Sequence, residues 1–343
     1  MNNRGVYRVG LLSLGLALAL RFGPGLGKSL TSPDFLRSMD ELLLFTQTGL
    51  RSAPRQREPY VYAPESRGPQ NAHEPIPAFT VRREPEKPVP LFSPQDGAAV
   101  ALDNDAGMSI DAERLILEPP ALPDLPGPKV LLYSTHATES YQKNGENYIE
   151  TAAYRSLDSG FNMLSLGKAL EEALESRGIG VLRDESLHDY PSYNSAYIHS
   201  RKAMEEYLTQ NPSIVLALDL HRDAAAGSLQ PRLLSDTPTG PTARLMLVVG
   251  TNAGGRKHPN WQQNLSLALR LQTLLERASP GITRPLNLRA QRFNQDLCPG
   301  ALLIEIGGAG NTRQEALATV PILAEAIEAL LNAQNYAQNY AQN

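Results

Sequence analysis

The sequence is poor in the groups that several common classes of protein require. It has one cysteine, Cys298, in 343 residues, which excludes an internal disulfide framework. Its formal net charge is only −4, so neither nucleic acid nor an anionic membrane surface is indicated as a partner. Ser134 and Ser140 lie outside any G-x-S-x-G elbow, and Cys298 precedes a proline without an adjacent base. The sequence therefore disfavours a serine or cysteine hydrolase.

The apolar run near the N-terminus is short for a membrane-spanning helix. Val9–Leu20 follows Arg4 and Arg8, and it fits a signal h-region or, extended to Leu26, a marginal anchor. Phe22-Gly-Pro-Gly stands where a small-residue cleavage site would be expected. We therefore predict that residues 1–26 anchor the protein and that the rest lies on the outer face of the cell membrane.

Two further segments precede the region with regular structure. Pro33–Leu50 has apolar residues at helical spacing, so residues 27–50 are predicted to contain a juxtamembrane amphipathic helix. Residues 51–128 hold 15 of the 27 prolines. Proline at that density interrupts helices and strand ladders, which predicts a semi-rigid linker.

From Lys129 onward, strand patterns alternate with helix patterns. Alternation of this kind predicts an α/β fold with a largely parallel twisted sheet flanked by helices. The predicted domain covers residues 129–331, and the polar repeat at 332–343 is predicted to be a disordered tail. The predicted strands are Val130–Ser134, Ile179–Leu182, Ile214–Leu220, Arg244–Gly250 and Ala301–Ile306, and the predicted helices are Phe161–Arg177, Tyr193–Gln210, Trp261–Ala278 and Gln314–Leu331.

Three of these strands carry histidine or glutamate at or just after their carboxyl ends. His136 and Glu139 follow the first strand, His221 follows the third, and Glu305 lies inside the last. Ligands bind at the carboxyl ends of the strands in open α/β sheets. Catalytic zinc commonly has three protein ligands and one position for water. The pattern therefore indicates a metal-dependent hydrolytic site.

The residues alone leave a second interpretation open. His136 and His221 could be hydrogen-bonded histidines at strand ends, and Glu305 could pair with Arg222 or Arg292. Burial of Glu305 in an apolar strand would raise its pKa unless a cation held it charged, which suits a general base.

A set of longer motifs carries a resemblance to a known family. These motifs are YSTHATESY, SRGIGVLRDESLHDYPSYNSAYIHSR, LALDLHRDA, VVGTN, NLSLALRL, PGITRP, FNQDLCPGALLIEIGG and NTRQEA, and they cover essentially all of residues 129–331. On these motifs the chain resembles the stage II sporulation protein P family of endospore-forming bacteria, itself similar to the zinc-dependent N-acetylmuramoyl-L-alanine amidases.

The resemblance implies an activity and a setting. It implies a Zn²⁺-dependent amidase that also has endopeptidase activity and removes stem peptides from peptidoglycan during engulfment. It further implies anchoring by the N-terminal segment, with the catalytic domain between the two membranes of the sporangium. The implied partners are proteins of the stage II sporulation protein D and M types.

The resemblance also assigns roles to residues. His136 and His221 correspond to zinc ligands and Glu305 to the general base. Related amidases take their carboxylate ligand from the start of the first helix, but here that helix opens with Ser159-Gly160-Phe161-Asn162. Glu139 is therefore the favoured carboxylate ligand, with Glu150 and Asp158 in reserve. The expected substrate-binding residues are Arg222, Asn162, Tyr193 and Asn294.

The alternative is a non-catalytic peptidoglycan-binding scaffold that keeps the fold and retains zinc for structure. A structural zinc ion normally has four protein ligands, and no suitable fourth ligand is evident in the sequence.

Overall fold

The structure is a computed structural model, and it describes residues 92–146, 148–225 and 230–341. The predictions for the anchor segment 1–26, the amphipathic helix in 27–50 and the first part of the linker lie outside these residues. The described residues from Phe92 onward belong to the same compact unit as the sheet, so this unit extends before Lys129.

A seven-stranded sheet organises the described residues. Its strands are β1 Leu102–Asn104, β2 Val130–Tyr133, β5 Val181–Arg183, β6 Leu216–Asp223, β9 Leu245–Gly250, β10 Leu286–Arg289 and β11 Ala301–Gly308. Their order in the sheet is β1-β10-β9-β11-β6-β2-β5, and every neighbouring pair is parallel except β9 with β11. The predicted, largely parallel sheet is confirmed.

The single antiparallel junction decides which strand ends meet. The carboxyl ends of β5, β2, β6 and β11 lie at the same edge as the amino ends of β9, β10 and β1. We call this edge the upper edge. Two small hairpins complete the strands: β3 Glu150–Ala152 with β4 Arg155–Ser156, and β7 Leu234–Thr237 with β8 Gly240–Ala243.

Helices cover both faces of the sheet. The helices are α1 Pro94–Ala99, α2 Ala112–Leu117, α3 Met163–Glu175, α4 Ala196–Gln210, α5 Trp261–Ala278 and α6 Arg313–Ala341. The main core lies between one face and α2, α3, α5 and α6, whereas α4 packs on the other face around Met204. Each predicted helix and strand of residues 129–331 is present, with ends that differ by a few residues at most places.

Successive side chains along a strand point to opposite faces of the sheet, so residues two apart share a face. In β6, Leu216, Leu218 and Leu220 belong to the main core, and Ala217 belongs to the core under α4. Asp219 and His221 therefore lie on the face covered by α4. The sheet places these two polar side chains on the same side, one above the other.

The prediction of a linker over 51–128 is wrong for its last part. Phe92, Leu115, Ile116 and Leu122 are buried in the main core, and β1 pairs with β10. α5 holds α2 through hydrogen bonds from Ser266 to the Leu115 carbonyl and from Arg270 to the Ile116 carbonyl. The average proline density hid residues 95–118, which contain no proline and can form regular structure.

The prediction of a disordered tail also differs from the structure. α6 continues beyond Leu331 to Ala341. The repeat contains neither glycine nor proline, so nothing in it stops a helix that the preceding residues have begun.

One helix segment among the described residues is long and apolar enough to span a membrane. It is Arg313–Ala333, and 50% of its most apolar window is buried inside the fold. Val320, Leu323 and Ile327 of this segment belong to the main core. Its composition therefore fits the core helix that the structure shows.

Candidate active site

The four residues predicted to carry the chemistry meet at the upper edge. β2 ends at Tyr133, and the turn that follows carries His136. The backbone N–H of Glu139 donates to the His136 carbonyl at 3.0 Å, which holds both residues in one turn. In the neighbouring strands, Glu305 of β11 is the register partner of His221 of β6.

His136 is a buried, neutral imidazole. It is 4% exposed, and its ring stacks on Tyr193 at 4.3 Å and meets the His221 ring edge-on at 5.3 Å. Among the described residues, neither ring nitrogen has a hydrogen-bond partner. Burial, with the positive charge of neighbours such as Arg155, holds the pKa of His136 well below its ordinary value. At neutral pH the ring keeps a lone pair for a ligand.

Glu139 is a buried carboxylate surrounded by cationic groups. The Arg222 backbone N–H donates to its Oε2 at 3.2 Å, and Arg155 Nη2 lies 3.5 Å from its Oε1. The Nδ1 atom of His221 lies 3.6 Å from its Oε2. Burial favours the neutral acid, but Arg222 and His221 outweigh it and hold the pKa of Glu139 well below its ordinary value. The group stays charged.

Asp219 lies beside His221 and orients its ring. It is wholly buried and accepts from both the Thr135 N–H and the Thr135 hydroxyl at 2.7 Å. Its Oδ1 lies 3.0 Å from His221 Nε2, without the alignment of a hydrogen bond. Burial opposes the charged imidazolium, but Asp219 and Glu139 outweigh it and raise the pKa of His221.

Asp219 was missed by the sequence reasoning. The signal was present in LALDLHRD, where an aspartate two residues before the histidine must face the same side of the strand.

Glu305 has the environment of a proton acceptor. Its Oε2 atom is buried and has no hydrogen-bond partner among the described residues. Burial, followed by the nearby Asp223 carboxylate, raises the pKa of Glu305 above its ordinary value. A carboxylate of raised basicity is suited to taking a proton from water.

The donor set suits a zinc ion, although the side chains do not enclose one as they stand. Within the described ranges, no three His, Cys, Asp or Glu side chains are grouped as a metal site. Both nitrogens of His136 and Oε2 of Glu305 are nevertheless buried without hydrogen-bond partners, whereas Nε2 of His221 has the Asp219 carboxylate 3.0 Å away. Each unpartnered atom costs about 1–3 kcal/mol, so three in one site point to a ligand that satisfies them.

The two reserve carboxylates lie outside this site. Glu150 is exposed in β3 beside Lys143 at 3.7 Å, and exposed Asp158 accepts from the Gly160 N–H in a turn. Glu139 is the carboxylate that the structure brings to the two histidines.

The predicted substrate-binding residues separate into two groups. Tyr193 lies in the site, against His136 and 4.4 Å from the Arg155 guanidinium. Arg222 is buried, and its side chain donates to the Ser140 and Tyr154 carbonyls at 3.0 Å, so it supports the site from within.

Asn162 and Asn294 are held by internal hydrogen bonds, and their role in substrate binding stays a prediction. Asn162 is wholly buried and caps α3 by accepting from the Leu164 N–H. Asn294 is buried, has a φ of 58°, and donates to the Tyr197 carbonyl at 2.8 Å. Asparagine suits both places because its amide can cap a helix and its backbone tolerates positive φ.

A second group of residues, not predicted from the sequence, also reaches the site. Arg155 of β4 donates to Asp189 at 2.7 Å and to Thr138 at 3.1 Å. Tyr197 of α4 meets the His136 ring edge-on at 5.6 Å. Only the packing of the β3–β4 hairpin and α4 brings these side chains to the upper edge.

Comparison with known sequences places the chain in a family. The model of the Stage II sporulation protein P family matches residues 105–328. The chain belongs to this family. Its relative Stage II sporulation protein P of Bacillus subtilis (strain 168) is 30% identical over 200 residues, which cover 54% of this chain and 47% of that protein. The match therefore spans about half the length of the relative. The predicted membership in the Stage II sporulation protein P family is confirmed.

Solved structures of amidases also align with the present chain. The CwlD amidase from Clostridioides difficile, solved with the GerS lipoprotein, is 14% identical with a TM-score of 0.37, covering 60% of this chain and 98% of that chain. Ami1 from Mycobacterium smegmatis is 11% identical with a TM-score of 0.38, covering 60% and 98%. AmiC2 of Nostoc punctiforme is 12% identical with a TM-score of 0.35, covering 63% and 98%.

Proposed function

We propose that this protein is a zinc-dependent peptidoglycan hydrolase, an N-acetylmuramoyl-L-alanine amidase with endopeptidase activity that removes stem peptides during engulfment. The observation that carries the proposal is the meeting of His136, Glu139, His221 and Glu305 at one sheet edge, where both nitrogens of His136 and Oε2 of Glu305 are buried without hydrogen-bond partners. Membership in the Stage II sporulation protein P family supports the same reaction and setting.

His136, Glu139 and His221 would hold the zinc ion. The ion would supply Lewis-acid polarisation of the amide carbonyl and a lowered pKa of water. Asp219 and Arg222 hold these side chains in place, since each contacts a proposed ligand and is itself fixed by buried hydrogen bonds.

Glu305 would move the proton. Its Oε2 would take a proton from the attacking water and pass it to the nitrogen of the leaving amine. Burial of Glu305 beside Asp223 favours the protonated form after the first transfer, which makes the second transfer possible.

The first test is metal content. The purified full chain is expected to hold one zinc ion, and His136→Ala or His221→Ala should each lose stoichiometric zinc while remaining folded. His199→Ala is the matched control, because His199 lies on the exposed side of α4. Zinc content equal to that of the wild type in both site variants would refute the proposed ligand set.

The second test is product analysis. Digestion of peptidoglycan by an amidase releases peptides that begin with a free L-alanine amino group and leaves the lactyl group on the glycan. An endopeptidase instead creates new termini within the peptides. Mass spectrometry of the soluble products separates the two activities, and digestion of neither bond would contradict the proposal.

One observation favours the alternative, a non-catalytic peptidoglycan-binding scaffold. Glu139 already has Arg155 and Arg222 as partners, and His221 lies beside Asp219. A scaffold would bind peptidoglycan but release no product, whether or not it holds zinc.

The setting is proposed together with the activity. Residues 1–26 would anchor the protein in the cell membrane with the catalytic domain on the extracytoplasmic side, in the intermembrane space of the sporangium. Proteins of the stage II sporulation protein D and M types would act beside it. Membrane fractionation and protease accessibility of the full chain test the orientation.

A further inference from the structure

Arg155 lies between two buried carboxylates but bonds closely to only one of them. Its Nη1 donates to Asp189 Oδ2 at 2.7 Å, whereas its Nη2 lies 3.5 Å from Glu139 Oε1. A charge-assisted hydrogen bond is about 2.7–2.9 Å long, so the contact with Glu139 is longer than such a bond. The guanidinium also lies over the Tyr193 ring, 4.4 Å from its centroid, and that ring stacks on His136. Arg155 is therefore a close neighbour of two proposed zinc ligands.

The backbone of Arg155 is fixed beside Glu139. The two residues face each other in an antiparallel bridge, and the Ser156 N–H donates to the Thr138 carbonyl at 2.8 Å next to it. Side chains that face each other in an antiparallel pair lie on the same face of the ladder. The other partners of the Arg155 side chain therefore decide how close its guanidinium comes to Glu139.

Asp189 is the partner that competes with Glu139 for the guanidinium. Its side chain is fully buried, and it accepts from the Thr138 N–H at 3.2 Å and from the Thr138 hydroxyl at 2.5 Å. Asp189 belongs to the loop that follows β5, so it reaches Arg155 from an element other than the hairpin and the turn. The carboxylate that holds Arg155 is thus itself held in place.

The charges around Glu139 are balanced. Arg155 and Arg222 are the two cations, and Asp189 and Glu139 are the two anions. Without the charge of Asp189, Glu139 would be the carboxylate left for Arg155. Charged groups attract each other more strongly in the low dielectric of a protein interior than in water, so the guanidinium would close on Glu139 Oε1. A metal ion would then have to displace it.

We propose that Asp189 is a positioning residue that keeps Arg155 from bonding to the Glu139 carboxylate and so leaves that carboxylate for zinc; the zinc part of this assignment rests on the proposed function. Asp189 acts at one end of the turn that carries His136 and Glu139, through Thr138. Asp219 holds the other end through Thr135.

The first experiment measures the zinc affinity of the full chain by competition with a chelator. The variant Asp189→Asn keeps the size of the side chain but removes its charge, so zinc affinity should fall about 10- to 100-fold. The matched control is Asp184→Asn in the same loop. Asp184 is buried too, but its carboxylate accepts from the Ser186 N–H at 2.9 Å and lies 2.8 Å from His188 Nε2. Wild-type affinity in Asp189→Asn, or an equal loss in Asp184→Asn, would overturn the proposal.

A second substitution distinguishes positioning from a merely structural role. Adding Arg155→Met to Asp189→Asn removes the competing guanidinium, so zinc affinity should rise about 10-fold above that of Asp189→Asn. Arg155→Met alone should bind zinc at least as tightly as the wild type, since Arg222 still contacts Glu139. A structural role predicts the opposite, because each further loss from the buried cluster would weaken binding.

Lower zinc affinity of the double variant than of Asp189→Asn, or of Arg155→Met than of the wild type, would refute the proposed role. Thermal unfolding shows whether each variant is folded. If Asp189→Asn does not fold, the affinity of Arg155→Met decides the question.

A crystal structure of metal-free Asp189→Asn keeps this proposal separate from the proposed function. Arg155 should lie about 2.7–2.9 Å from Glu139 in that variant. An unchanged separation would overturn the role of Asp189 even in a protein that binds zinc. A wild-type protein that binds no zinc would refute the proposed function, and the position of Arg155 in the variant would still decide whether Asp189 keeps it from Glu139.

Discussion

At the scale of single residues, the candidate site is defined by buried polar atoms, some of which have charged or hydrogen-bonding partners and some of which have none. Glu139 is charged because Arg155 and Arg222 surround it, whereas Glu305 lacks such a cation and is more basic. Two glutamates in one site thus have different chemistry because their neighbours differ. That division favours Glu139 as a ligand and Glu305 as a base.

Glu305→Gln separates these two roles. Glutamine keeps the shape of the side chain but cannot accept the proton, so zinc should stay bound while hydrolysis falls by about 10²- to 10⁴-fold. Metal analysis and a peptidoglycan digestion assay measure the two effects, with Glu172→Gln on the exposed side of α3 as the control. Loss of zinc from Glu305→Gln would make Glu305 a ligand.

The variant Asp219→Asn tests whether the Asp219 carboxylate orients His221. The amide removes a buried negative charge that accepts two hydrogen bonds from Thr135, which should lower the free energy of unfolding by about 1–3 kcal/mol. Zinc affinity should fall about 10- to 100-fold because His221 loses its orienting neighbour. Chelator competition measures the affinity, and unchanged zinc affinity would remove Asp219 from the site.

His258 gives the stability a pH dependence. This residue is 2% exposed, its ring nitrogens have no partners among the described residues, and burial lowers its pKa from 6.5 to about 4. The unfolded chain therefore binds a proton that the folded chain excludes, and stability is lost as the pH falls from about 6.5 to about 4. We expect His258 to contribute on the order of 2 kcal/mol to this loss.

The variant His258→Gln should reduce this acid-induced loss of stability by about 2 kcal/mol. Denaturant unfolding at pH 7.5 and pH 5 measures it, and the same loss in variant and wild type would contradict the assignment.

At the scale of elements, the antiparallel contact of β9 with β11 is the feature that shapes the upper edge. It brings Arg244 beside Gly307 and so places the start of β9 next to the strand that carries Glu305. α2 and β1 extend the fold from the other side by packing on α5 and β10.

Truncation tests the contribution of the elements before residue 129. A fragment of residues 127–343 loses four buried apolar side chains, namely Phe92, Leu115, Ile116 and Leu122. At about 1.5–3 kcal/mol each, this loss is comparable to the whole stability of a domain, about 5–15 kcal/mol, so the fragment should be unfolded or insoluble. A fragment of residues 92–343 should unfold cooperatively. Equal melting temperatures of the two fragments would show that the early elements do not stabilise the sheet.

At the scale of the whole molecule, zinc binding and folding should be linked. The proposed ligands come from the turn after β2 and from β6, so a bound ion would join parts of the chain that are distant in sequence. Free zinc at about 100 times its Kd should raise the free energy of unfolding by about 3 kcal/mol. Thermal unfolding with and without a chelator measures this, and His136→Ala should show no difference. A melting temperature insensitive to zinc would contradict the proposed metal site.

The sequence by itself determined the α/β alternation, the order of elements from Val130 onward, and the strand-end placement of His136, His221 and Glu305. These follow from local periodicity and from the run of apolar residues before each polar one, which a single segment contains. It also identified the family, because the motifs around these residues are long.

Only the tertiary structure decided which distant residues meet. The antiparallel β9–β11 contact, the docking of α2 and β1, and the arrival of Arg155 and Tyr197 at His136 all depend on long-range packing. The burial of Asn162 and Asn294 as supporting residues was decided in the same way. Local sequence patterns carry no record of these contacts, because each contact joins segments whose separate propensities are compatible with many arrangements.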